Sequence, residues 1–286
     1  MPRSLLILAP LLAVAAQPAG FGEANVTHLA FSPDGKTLTA AYYRHAINRP
    51  GTDWGSFAVT WNLGTGKGTT LPNAIGPVAY SPDGKVLAAG LAERNPKRIL
   101  RNRPYTQLAL WTPGRGEPDT VVTAPTDPGL TAAGRTSDKG AVVTFAFHPS
   151  GKFLAVASVD QLWLHQLGGK AVPAADLKLA PATGWQGAAQ LAFVDGGRLL
   201  RLAGPVAGGQ GRMMILSWRV EAGEKDVLLT EVGRENTAAG KVELAVRREV
   251  EVVSPDGATK AIGSGLGVTV VDAKTGMKLK EFRPGK

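Results

Sequence analysis

Five cations crowd ten residues of this 286-residue chain. Arg94, Lys97, Arg98, Arg101 and Arg103 stand against a single acid, Glu93, with Tyr105 close behind. Such a cluster can gather phosphate, sulfate or carboxylate groups, because each guanidinium offers a planar fork that matches them. A second stretch brings Tyr42, Tyr43, Arg44, His45, Arg49 and Trp54. Aromatics among cations on exposed loops are the composition of recognition surfaces. The competing reading is a solvated loop whose charges serve solubility alone.

Catalytic constellations are scarce. The histidines at 28, 45, 148 and 165 fall in separate segments, no pair has metal-ligand spacing on a helix, and no G-x-S-x-G turn occurs. GTGKGTT at Gly64 lacks the earlier glycine of a phosphate loop. A glycosidase needs carboxylates facing each other across a cleft. Glu249 and Glu251 lie two apart in one strand pattern and so point to one side. The expectation is a chain that is not an enzyme and has no cofactor and no metal site. A hydrolase acting on envelope sugars or peptides is the alternative.

The elements that must position the cations are repeats. HLAFSPDGKTL at His28, PVAYSPDGKVL at Pro77, TFAFHPSGKFL at Thr144, QLAFVDGGRLL at Gln190 and EVVSPDGATKAI at Glu251 share one pattern, whose first turn residues, Ser32, Ser81, His148, Val194 and Ser254, are spaced by 49, 67, 46 and 60 residues. Pro pre-sets one turn angle, Asp can bond its own backbone, and Gly supplies a positive-φ corner, so S-P-D-G between apolar runs is a β-turn joining antiparallel strands. A third strand pattern follows in each unit and places Trp61, Trp111, His165, Trp218 and Val271 at equivalent positions. A residue recurring once per unit serves packing that every unit needs. Trp163, beside that position, is expected to face the opposite side. A fourth run closes most units: VVTA from Val121, ADLKLA from Ala175, KDVLLT from Lys225 and KLKEF from Lys278.

Four strands per unit of this length make one blade of a β-propeller. The fold class is therefore all-β, a propeller of about five four-stranded blades near 24–75, 76–139, 140–186, 187–238 and 239–286. It is either a small ring or an open arc that needs a partner. KLKEF can complete blade five by itself, so closure would rest on blade-to-blade packing. The cation-rich stretches are insertions between second and third strands of blades one and two. Such connections emerge on one rim of a propeller, so both insertions are expected on the same face.

The order F-S-P-D-G-K-x-L, an apolar strand, then x-L-W-x-L-x-T-G-K resembles the WD40 repeat, best over Ala30 to Lys67 and in outline over Leu29 to Phe282. The resemblance implies a propeller that binds proteins. The Trp-Asp pair is intact nowhere: Asn62 follows Trp61, Thr112 follows Trp111 and Arg219 follows Trp218. No Gly-His dipeptide opens a repeat, and Asp160 is the one good candidate for the family's turn Asp. That family stiffens each blade with a hydrogen-bonded His, Asp and Trp lattice, so blades without it must rely more on packing. The partner site implied by the insertions comprises Tyr43, Arg44, Trp54, Arg94, Lys97, Arg98, Arg101, Arg103 and Tyr105.

Residues 1–16 carry Arg3, an apolar stretch from Leu5 to Ala16 and small residues at Ala13, Ala15 and Ala16, the layout of a secretory signal peptide. The run is too short to span a bilayer comfortably, an uncleaved anchor being the alternative reading, and no integral membrane span is expected elsewhere. With no Cys there is no disulfide, thiolate site or lipid-attachment cysteine. A formal net charge of +9 on an exported, periplasmic or secreted chain points to a protein partner or an anionic polymer, with no nucleic acid expected. Cleavage is expected after Ala15 or Ala16. N-terminal sequencing of exported material checks it, and an intact Met1 form in the cytoplasm would reopen nucleic acid as a partner.

Overall fold

A computed structural model describes residues 24–44, 56–91, 107–123, 142–158, 162–167, 171–172, 190–205, 212–222, 227–238 and 250–284. They form five four-stranded antiparallel sheets, each a simple meander. Blade one is β1 (Ala24–Phe31), β2 (Thr37–Arg44), β3 (Phe57–Asn62) and β4 (Gly68–Pro72); blade two is β5 (Ala74–Tyr80), β6 (Leu87–Leu91), β7 (Gln107–Trp111) and β8 (Thr120–Thr123). Blade three is β9 (Val142–Phe147), β10 (Phe153–Ser158), β11 (Leu162–Gln166) and β12 (Ala171–Val172). Blade four is β13 (Gln190–Val194), β14 (Leu199–Pro205), β15 (Arg212–Ala222) and β16 (Val227–Ala238), and blade five is β17 (Val250–Val253), β18 (Thr259–Ser264), β19 (Gly267–Asp272) and β20 (Lys278–Phe282). The fourth strand expected at Ala175 of blade three is found instead at Ala171–Val172, where Ala171 pairs His165. The Ala175 run lies outside the described residues.

The S-P-D-G turns form as their chemistry requires. Ser32, Ser81 and Ser254 are buried, and each donates its hydroxyl to the turn Asp at 2.6, 2.7 and 2.5 Å. The same serine oxygens accept the backbone N–H of Thr37, Val86 and Thr259 at 2.9 Å, which locks the start of the second strand. Gly35, Gly84 and Gly257 take φ of +68°, +72° and +70°, the left-handed corner that a Cβ disfavours. Blade four has V-D-G-G here and makes a tight 3-10 turn through Asp195–Gly197.

Strand alternation divides each sheet into two apolar faces. Leu38, Leu87, Leu154 and Leu200, six residues after the first turn residue, are at most 1% exposed and face the preceding blade. The next residue faces the following blade and is small: Thr39, Ala88, Ala155 and Ala261, all fully buried. Four clusters result, between blades one and two, two and three, three and four, and five and one. None among the described residues joins blades four and five. Trp61, Trp111 and Trp218 lie inside these seams at 2%, 1% and 1% exposure. Trp163 stands two residues before His165, so the pleat gives both one face, and Trp163 is buried between blades two and three. The opposite-side expectation fails on that spacing.

Blade five closes onto blade one by packing. Val26 N–H donates to the Gly265 carbonyl at 2.9 Å, Lys280 Nζ to the Leu63 carbonyl at 2.8 Å, and the rings of Trp61 and Phe282 lie 5.4 Å apart. A Cβ at Gly263 would come within 2.5 Å of Val26 Cγ1, so the glycine permits the approach. Trp111→Ala should cost about 3–5 kcal/mol in urea unfolding, as for large aromatics removed from cores. Unchanged stability would place Trp111 outside the packed seam.

Candidate functional site

The two insertions leave the fold at equivalent places. β2 ends at Arg44 and β3 resumes at Phe57; β6 ends at Leu91 and β7 resumes at Gln107. Both are second-to-third strand connections of packed, adjacent blades, at the rim opposite the S-P-D-G turns. Blades three and five make that connection between Ser158 and Leu162 and between Ser264 and Gly267, so length is concentrated on blades one and two.

Of the candidate binding residues, Tyr43 is half-buried near the end of β2, paired with Asn25 of β1. Arg44 is the last residue of β2, paired with Ala24. Trp54, Arg94, Lys97, Arg98, Arg101, Arg103 and Tyr105 lie outside the described residues, as do His45, Arg49 and Glu249. Tyr42, which the sequence groups with the loop aromatics, is a core residue. It is fully buried, stacks on Phe57 at 4.8 Å and donates its hydroxyl to the Leu266 carbonyl at 3.5 Å, and burial raises its phenol.

The opposite rim carries the turn carboxylates. Asp34, Asp83 and Asp256 are held below the usual carboxylate range, first by the serine hydroxyl and then by the backbone N–H of Lys36, Lys85 and Ala258. These groups are spent on turn structure. Glu251 sits 3.3 Å from Lys260 Nζ, an ion pair on the face of blade five away from blade one.

Two polar features of the interior escaped sequence reading. Thr39 on β2 hydrogen-bonds Thr60 at 2.8 Å and Tyr80 of the next blade at 2.7 Å, a buried tie across the first seam; burial pushes the Tyr80 phenol up to about 12 although these hydrogen bonds act in the opposite direction. The available signal is Tyr80 where blades one, three and four have Phe. His28 on β1 presses its ring on Gly76, where a Cβ would meet Nδ1 at 1.8 Å, and that nitrogen finds no partner among the described residues. The indole N–H groups of Trp111, Trp163 and Trp218 likewise find no acceptor among them. This fits a propeller whose blades are held by packing.

The fold defines a five-bladed β-propeller. The family model described as WD domain, G-beta repeat matches residues 132–163, which span β9 and β10 and end just inside β11 of blade three, and the propeller is WD40-like. Comparison with curated proteins found no match. Similar solved structures include the Myceliophteria thermophila Cps50 (Swd1) β-propeller domain, at 16% identity over 92% of this chain and 74% of that one, TM-score 0.45. Another is the Pseudomonas aeruginosa periplasmic gluconolactonase PpgL, at 16% identity over 90% and 72%, TM-score 0.46. A third is the β-propeller domain of the Pyrococcus furiosus Trilobed protease, at 10% identity over 90% and 72%, TM-score 0.43. Likeness of this degree leaves their activities with those proteins. Among the described residues no helix is long and apolar enough to cross a membrane.

Burial pushes the His28 imidazole down to about 4 from 6.5, and it also lowers His148 and His165. Between those two values the unfolded chain binds more protons than the folded one, so stability must fall as pH drops from about 6.5 to about 4. His28→Asn should flatten that decline in urea midpoints measured across the window. An unchanged slope would show that His28 is not held neutral in the fold.

Proposed function

We propose that this protein is a non-catalytic, exported binding module that takes a protein partner or an anionic polymer on its insertion rim. The observation that carries the reading is the placement of the two long insertions. Both are hung from second-to-third strand connections of adjacent, tightly packed blades, so a sequence with five cations and one rich in aromatics and arginine are anchored at the same rim. Loops held by a rigid scaffold are where binding residues concentrate. A WD40-like propeller is also a fold suited to protein interaction, and it needs no catalytic group to act in that way. Export rests on the signal-like layout of residues 1–16.

Replacing Arg98, Arg101 and Arg103 with Ser should leave folding intact, since exposed substitutions change stability by less than about 0.5 kcal/mol. Binding to a partner captured from an envelope fraction, or to a polyanion such as polyphosphate, should fall, and its salt dependence should flatten. The wild-type interaction weakens with salt because charges are screened over about 8 Å at physiological ionic strength. Equal affinity and equal salt slope for the two proteins would reduce the cluster to a solvated loop.

A further inference from the structure

Each blade's turn leans on the next. A Cβ on Gly35 would lie 4.0 Å from Pro255 Cδ, one on Gly84 3.5 Å from Pro33 Cδ, one on Gly151 4.0 Å from Pro82 Cδ, and one on Gly197 2.5 Å from His148 Nε2. The series runs five to one, one to two, two to three and three to four. Gly257 of blade five has nothing within 4 Å, and the blade that should cover it, blade four, has Asp195 where the other turns have Pro.

The side chains of the two bordering faces change in the same place. Seven residues after the first turn residue, where Thr39, Ala88, Ala155 and Ala261 are buried against the following blade, blade four carries an exposed Arg201. Six residues after it, where the other blades bury Leu, blade five carries Lys260. Three residues before it, where Leu29, Val78, Phe145 and Leu191 are buried, blade five carries Glu251. Arg219 is exposed on the same face as Arg201, as is Ala192. Arg201 pairs with Ser217, two residues from Arg219, so the two guanidiniums spring from diagonal neighbours on β14 and β15. Neither has an ion pair among the described residues. Repeat arrays end in faces made polar, and both faces here are of that kind.

We propose that the bordering faces of blades four and five, which share no apolar cluster among the described residues, form a docking site for an acidic, extended segment of a protein partner. An extended segment can meet such a sheet face through side chains at alternate positions. Charge decides its chemistry. Glu251 and Lys260 balance each other on one wall, whereas Arg201 and Arg219 on the other offer two planar forks for carboxylates. Val253, 52% exposed beside that ion pair, offers an apolar contact on the second wall. This site is separate from the insertion rim and does not depend on it.

The test uses the full chain with Arg94, Lys97, Arg98, Arg101 and Arg103 already replaced by Ser, so that the five cations of the insertion contribute nothing, and fluorescein-labelled hexaglutamate as the probe. Fluorescence anisotropy at low ionic strength should show binding that weakens at least tenfold when Arg201→Ser and Arg219→Ser are added, with the melting temperature unchanged. Absence of binding by the parent, or equal affinity for both proteins, overturns the proposal. So does binding that appears only with Glu251→Gln, because the two arginines would then be engaged by the chain's own blade five.

Discussion

A four-stranded sheet with two apolar faces cannot stand in water alone, and that constraint organises this molecule. Blades one to four put leucine toward the preceding blade, and blades one, two, three and five put a small residue toward the following one, so that neighbouring sheets approach closely and exclude water at four seams. Everything else is built on those seams: the buried tryptophans, the turn contacts, and a rim rigid enough to hold long insertions. Between blades four and five, which share no apolar cluster among the described residues, the equivalent side chains are charged.

Packing replaces the polar lattice that stiffens intact WD40 blades. The serine-to-aspartate bonds of blades one, two and five stay inside their own turns, and the side-chain ties across seams among the described residues are few: Thr39 with Tyr80 between blades one and two, and Tyr42 and Lys280 with backbone carbonyls between blades one and five. Elsewhere aromatic rings fill the space, as where His148 meets Phe193 edge-on at 4.9 Å. Buried indole and imidazole nitrogens are the cost of this solution. They make the seams dependent on neutral histidine, which links ring stability to proton concentration.

Much of this architecture was legible in the amino-acid order because its signals are local. A turn such as S-P-D-G is specified by four adjacent residues, and period-two alternation reveals strands within six. The repeat position of Trp61, Trp111 and Trp218 could be read as packing for the same reason. What stayed hidden depends on residues far apart in sequence. Tyr42 lies among loop aromatics in the chain, yet the pleat turns it onto Phe57 and toward blade five. The contact of His28 with Gly76 needs two blades side by side. Arg201 is set apart from other surface cations only by its register with the small residues buried at the other seams. For the partner residues from Trp54 to Tyr105, the sequence supplies the chemistry and the fold supplies the anchoring strands.

The seam between blades five and one has a bearing on how the molecule is made. Its contacts join residues more than two hundred positions apart, Tyr42 with Leu266 and Leu63 with Lys280 among them, so loop-closure entropy is paid late. During synthesis, the aromatic face formed by Tyr42, Phe57 and Trp61 is complete long before Val268, Val270 and Phe282 leave the ribosome to cover it. For that interval the nascent chain carries an open apolar wall, the kind of surface that attracts chaperones and promotes aggregation. Loss of the last strand, β20, would make that interval permanent.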